Sequence, residues 1–229
     1  MKFLKTTLTV LASTLTATAA MGADFNLGIE TFHSNIELKG GKMSGDFGSD
    51  FGSGTRNFNR AVLGTTHENA PGIGIRGSIE FGHFSLGTGV RHAKFYPNVD
   101  TDAVNTSAFI DGKINFLPDR TISPYITGLV SYDLLQLNEH YGPDDETLRT
   151  EYEDTRLVNA GTGIGVQIML SEKTTVDLAL THSRTIKKGT LKGRAEDYSD
   201  ELGLAVFTVE TQDIEMAKTE ATIGLTQTL

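Results

Sequence analysis

The sequence predicts an all-β protein, an eight-stranded antiparallel up-and-down transmembrane β-barrel, on three observations. About eight segments alternate apolar with polar residues, the period of a strand whose two faces meet different surroundings. The connections between them are alternately short and long, as turns on one side of a membrane and loops on the other side are. The face opposite the apolar one is rich in Gly, Ser, Thr and Asn with isolated ions, which a narrow barrel interior can hold.

A leader precedes the segments. Lys2 and Lys5 form a positive start, Leu8 to Leu15 an apolar stretch, and Ala17 to Ala23 a run of small residues suited to signal peptidase. Cleavage is expected after Ala23, with Ala19 and Gly22 as rival sites, which divides the chain into a signal peptide, 1–23, and a barrel, 24–229. Six Ser and Thr residues between Thr6 and Thr16 dilute the apolar run below the ~20 residues of a spanning helix. Removing the leader takes two lysines and no acid from a chain of net charge −9, leaving −11. So acidic a chain is a poor partner for nucleic acid. The absence of Cys excludes disulfides, thiol catalysis and Cys-ligated metals, and suits passage through an oxidising periplasm.

The segments follow in order. Asp24 to His33 sends Phe25, Leu27, Ile29 and Thr31 to one face and Asn26, Gly28 and Glu30 to the other. Gly72 to Gly82 sets Ile73, Ile75, Ile79 and Phe81 against Gly74, Arg76, Ser78 and Glu80, and a tight turn at Gly82 and His83 leads to Phe84, Leu86, Thr88 and Val90 against Ser85, Gly87, Gly89 and Arg91. Next come Ala108, Ile110, Ile114 and Phe116 against Asp111, Lys113 and Asn115, then Ile126, Val130, Tyr132 and Leu134 against Tyr125, Thr127, Ser131 and Asp133. Val158 to Ile168 opposes Asn159, Gly161, Gly163, Gly165 and Gln167, Val176, Leu178 and Leu180 oppose Asp177, Ala179, Thr181 and Ser183, and Ala221, Ile223, Leu225 and Leu229 oppose Glu220, Thr222, Gly224, Thr226 and Thr228.

Each segment is close to the ~9–11 residues with which a tilted strand crosses a bilayer. Short links are expected near 82–83, 117–122 and 171–173, and long ones over 39–70, 97–105, 136–154 and 188–213. A soluble β-sandwich or lipocalin-like barrel is the competing architecture. The small polar residues of the second face favour the membrane barrel, with the apolar face outward, in the outer membrane of a Gram-negative-type cell.

Stretches such as Pro71 to Phe81 and Thr222 to Leu229 resemble the Gly-rich alternating strands of the OmpA/OmpX-type small outer-membrane barrels, a porin-like grouping that includes the Ail and opacity-type surface proteins. The resemblance is one of layout and spans Asp24 to Leu229. It implies a structural anchor or a presenter of loops that conducts poorly, with outer-membrane lipid, lipopolysaccharide and the barrel-assembly machinery as partners, a host or surface ligand as a further one, a monomeric state and no cofactor. Two features depart from the grouping: the chain ends in Leu229 where an aromatic residue is usual, and Trp is absent. An aromatic girdle must then come from Phe25, Phe81, Phe84, Phe116, Tyr96 and Tyr132.

By parity Arg76, Arg91, Lys113 and Lys218 point into the lumen together with Glu30, Glu80, Asp111, Asp133, Asp177 and Glu220. Four bases and six acids removed from bulk water are expected to tie into a salt-bridge network that plugs the barrel. A narrow cation-preferring pore is the alternative, from the acidic excess. A lipid A-modifying enzyme comes third and is not favoured. His182 and Ser183 are neighbours on a strand and face opposite ways. The pair His83 and Ser85 has the spacing of a His-X-Ser motif, but at the turn end of the barrel, away from the outer surface.

Recognition is expected in the long links. The first holds Phe47, Phe51 and Phe58 and a Gly/Ser-rich run, 45–54, expected to stay flexible. The third carries Asp144, Asp145, Glu146, Glu151, Glu153 and Asp154, whose spacing does not match a calcium-binding loop and reads as a solvated acidic stretch. In the fourth, Lys187, Lys188, Lys192 and Arg194 are candidates for contact with lipopolysaccharide phosphates or a partner. Leu204 to Thr211 is strand-like there, so the last two strands are expected to continue above the membrane as a hairpin.

Overall fold

The computed structural model describes residues 24–40, 42–46, 53–57, 67–98, 101–118, 120–139, 148–199 and 203–229. The leader, most of the first long connection with its three Phe residues, and Asp144 to Glu146 lie outside the described residues.

Among the described residues twelve strands form one sheet: β1 (Asp24–Lys39), β2 (Lys42–Asp46), β3 (Ser53–Asn57), β4 (His67–Phe81), β5 (Phe84–Asn98), β6 (Thr101–Asn115), β7 (Ile122–Glu139), β8 (Leu148–Tyr152), β9 (Thr155–Ser171), β10 (Thr174–Lys187), β11 (Gly189–Ser199) and β12 (Gly203–Thr228). Eight of them are staves of a closed antiparallel barrel in the order β1, β4, β5, β6, β7, β9, β10, β12 and back to β1. Closure removes the free edge that an open sheet would show to lipid. At the short-link end Gly82, with φ of 58°, turns β4 into β5 in two residues, as hairpins with Gly at the first turn position do.

The staves are longer than the sequence pattern suggested. The connection expected over 97–105 is almost all strand, because β5 runs to Asn98 and β6 begins at Thr101. Within 136–154, β7 runs to Glu139 and β8 follows. Within 188–213, β11 and the upper part of β12 form the expected hairpin, with β8 and β2 added along its sides. Asp213, at a φ of 62°, marks the irregular pairing where β12 leaves the barrel wall for this hairpin. Sixteen residues at ~3.3 Å each and a tilt of ~40° rise about 40 Å, well beyond a hydrocarbon core of ~25–30 Å.

The excess length explains a change of polarity along the staves. In β1, Leu27 and Ile29 face outward while Asn26 and Glu30 are buried inside; further up, His33, Asn35 and Lys39 face outward while Phe32, Ile36 and Leu38 are buried. β5 repeats it: Phe84 and Leu86 outside and Ser85 inside give way to His92 and Lys94 outside and Ala93 and Phe95 inside. The lower barrel is therefore a membrane protein, apolar without and polar within. The upper barrel has the ordinary arrangement of a soluble one.

The outward belt includes Ile73, Ile75, Ile110, Ile126, Ile164, Leu180, Ile223 and Leu225, all substantially exposed. Phe25, Phe81, Phe84 and Phe116 sit together at its turn end, through the pairings of Phe25 with Ile79, Phe81 with Phe84, and Phe84 with Ile114. Tyr132 and Tyr96 are exposed towards the loop end, so the six aromatics occupy two levels, as interfacial girdles do.

Candidate functional site: a filled lumen under an apolar plug

Inside the membrane-level barrel the charges meet in separate groups. Arg91 donates Nε to Glu30 Oε1 at 2.5 Å and Nη2 to Glu30 Oε2 at 3.2 Å, a two-point grip, and Nη1 to Glu220 Oε2 at 3.0 Å. Ser34 donates to the other Glu220 oxygen at 2.8 Å. The Arg91 guanidinium stands 4.5 Å from the Phe109 ring centre and 5.5 Å from that of Phe32, joining the polar lumen to the apolar residues above.

Asp133, fully buried, is held by five donors. Oδ1 accepts from Lys218 Nζ at 2.6 Å, Asn105 Nδ2 at 3.0 Å and Ser107; Oδ2 accepts from Ser131 at 2.5 Å and Asn159 Nδ2 at 2.6 Å. Lower down, Arg76 pairs with Asp111 at 2.5 Å, and Lys113 and the Tyr125 hydroxyl both donate to Asp177. The Lys113 ammonium is 4.2 Å from the centre of the Tyr125 ring. Gly165 makes room for that ring: a Cβ there would lie 2.3 Å from the Tyr125 hydroxyl.

Nine of the ten side chains read as a lumen network make these ion pairs. Glu80 is the exception. It lies near the turn end, where Gln167 Nε2 donates to it at 3.3 Å; facing the lumen does not fix which partner a side chain reaches. Sequence reasoning passed over the donors around Asp133, although Asn105, Ser107 and Asn159 share its inward parity.

The cavity among Glu30, Arg76, Asp111, Lys113, Tyr125 and Asp177 measures about 30 Å³, room for about two waters. Asp111 Oδ1 and Thr222 Oγ1 are buried there without a protein partner, the polar contacts such waters require. Over the lumen lies the apolar cluster of Phe32, Ile36, Phe95, Leu135, Leu157, Met216 and their neighbours. The barrel is thus stopped twice, by paired charges and by a plug.

The fold of the barrel matches that of a solved structure. That of Neisserial surface protein A superposes with a TM-score of 0.52 at 12% identity, over 90% of this chain and 99% of that one. This chain has the fold of a small outer-membrane β-barrel. The likeness is one of fold, and the apolar belt is the surface such an outer-membrane barrel buries in lipid. OprG from Pseudomonas aeruginosa aligns at 12% identity and a TM-score of 0.48, over 89% of this chain and 95% of that one. Ail of Yersinia pestis aligns at 10% and 0.39, over 88% and 97%. No family model and no curated protein matches the sequence.

The residues weighed for catalysis do not meet in this barrel. His182 faces outward with Nδ1 2.9 Å from Thr219 Oγ1, and Ser183 is buried inside. His83 Nδ1 is bonded to the Asn115 carbonyl oxygen at 2.8 Å, and Ser85 points into the lumen. Among the described residues no group of three or more His, Cys, Asp or Glu side chains is placed to hold a metal. Of the four cations of the last connection, Lys187 and Lys192 are exposed, Lys188 is engaged by Glu215 at 2.5 Å, and only the backbone of Arg194, in β11, is described. The hydrogen bond to Glu215 raises the Lys188 ammonium above its ordinary range.

Proposed function

We propose that this protein is a non-conducting outer-membrane anchor whose raised rim and long connections serve surface interaction, with adhesion or colonisation as its use. One observation carries the reading: the lumen is filled by paired charges and capped by an apolar plug. A pathway for ions needs a continuous polar route, and the plug interrupts it. Rigid staves that rise about 10 Å or more above the lipid carry β8, β11, β2 and the long connections outward, where a scaffolded loop meets partners.

The experiment is replacement of segments 47–52 and 140–147 by short Gly/Ser links in the full chain, with attachment of expressing cells to host-cell monolayers as the readout. The reading expects attachment to fall to that of cells lacking the protein while the barrel keeps its heat-dependent gel mobility. Undiminished attachment by a correctly folded loopless barrel would refute it.

A further inference from the structure

The outer wall carries a group of cations where the apolar belt ends on the loop side. Pairing of β9 with β10 sets Arg184 opposite Ala160 and Lys187 opposite Val158, and Arg156 lies two residues beyond Val158 on β9. With strands ~4.8 Å apart and ~3.3 Å per residue, the three side chains originate within about 15 Å of one another. All three are exposed, and so is the apolar Ile186 between Arg184 and Lys187. Directly below, Leu180 and Ile164 belong to the lipid-facing belt.

Of the described carboxylates nearby, Asp154 accepts from Gln136 Nε2 at 2.9 Å and Glu215 from Lys188 at 2.5 Å, while Glu153, just before β9, and Asp213 are exposed to solvent. Arg156 and Lys187 have no ion-pair partner among the described residues. Arg184 gives Nε to His182 Nε2 at 3.1 Å, and its two terminal nitrogens are unpartnered among them. By contrast, Lys39 and Lys94, elsewhere on the outer wall, are matched to Glu37 at 2.8 Å and Asp102 at 2.6 Å.

We propose that Arg156, Arg184 and Lys187 form a site for the phosphate groups of an anionic lipid in the loop-side leaflet. Arg184 offers a planar fork suited to phosphate oxygens, the other two add charge, and Ile186 meets the start of the acyl chains. A cation at an anionic membrane surface strengthens binding about fivefold. The site rests on the belt lying in lipid.

The test reconstitutes the full chain in phosphatidylcholine vesicles containing a trace of fluorescent bisphosphorylated lipid A, and reads enrichment of that lipid around the barrel. The variant Arg156→Gln, Arg184→Gln, Lys187→Gln is expected to lower enrichment at least tenfold, and the control Lys39→Gln, Lys94→Gln to leave it unchanged. Dephosphorylated lipid A is expected to show no enrichment with the native chain. Equal enrichment by the triple variant, equal enrichment of the dephosphorylated lipid, an equal loss in the control, or displacement by millimolar inorganic phosphate would each overturn the site. Failure of every variant and the native chain to insert would instead overturn the placement of the belt in lipid.

Discussion

Asp133 concentrates the physical argument at the scale of the residue. A carboxylate taken out of water is costly unless its lone pairs are matched, and here five donors, the Lys218 ammonium among them, match them. Asp133→Ala leaves Lys218 buried without its counter-ion, so unfolding by urea from lipid vesicles is expected to show a loss of about 3–5 kcal/mol. Asp133→Asn keeps the shape and part of the hydrogen bonding and is expected to lose less; an Ala variant as stable as the native chain would contradict the assignment. Gly165→Ala drives a methyl into Tyr125 and is expected to cost about 1–3 kcal/mol in the same assay. The facing of these residues was legible in the sequence, since a strand alternates strictly. Their partners were not, because pairing depends on height and on position around the barrel, which the stagger between strands sets. Glu80 illustrates this: it faces the same lumen as the four bases and meets Gln167 instead.

The eight staves were legible in number, order and lower ends, and their upper ends and the short strands above them were not. Reading a segment as ended where its outward residues cease to be apolar assumes one polarity throughout, and His33, His92 and His182 mark where that assumption fails. Beyond them the alternation continues with inside and outside exchanged, so Ala103 to Asn105 are strand where a loop was expected. Hydrogen exchange is expected to find these amides protected as slowly exchanging ladder bonds, although they stand above the lipid; exchange within seconds would mean that the staves stop at the membrane surface. Leu157, fully buried in the plug, is expected to cost about 2–5 kcal/mol when changed to Ala. A change at Leu180, which faces lipid, removes no packing inside the barrel. The comparison separates the plug from the belt.

For the whole molecule, closure of eight staves and a filled interior predict a rigid cylinder that resists dodecyl sulfate until heated. Its unboiled form is expected to migrate apart from the boiled form, and a single band under both conditions would argue against a closed barrel. The same closure separates an anchor from a channel. On the proposed reading, the paired charges around a cavity of about 30 Å³ and the apolar plug above it leave ions no continuous polar route. The most direct measurement is conductance of the purified full-length protein in a planar bilayer. Silence is expected for the native barrel over many insertions confirmed by antibody against the loops. Steady unit conductances from the native chain would contradict the closed lumen and make the narrow cation pore the function to pursue.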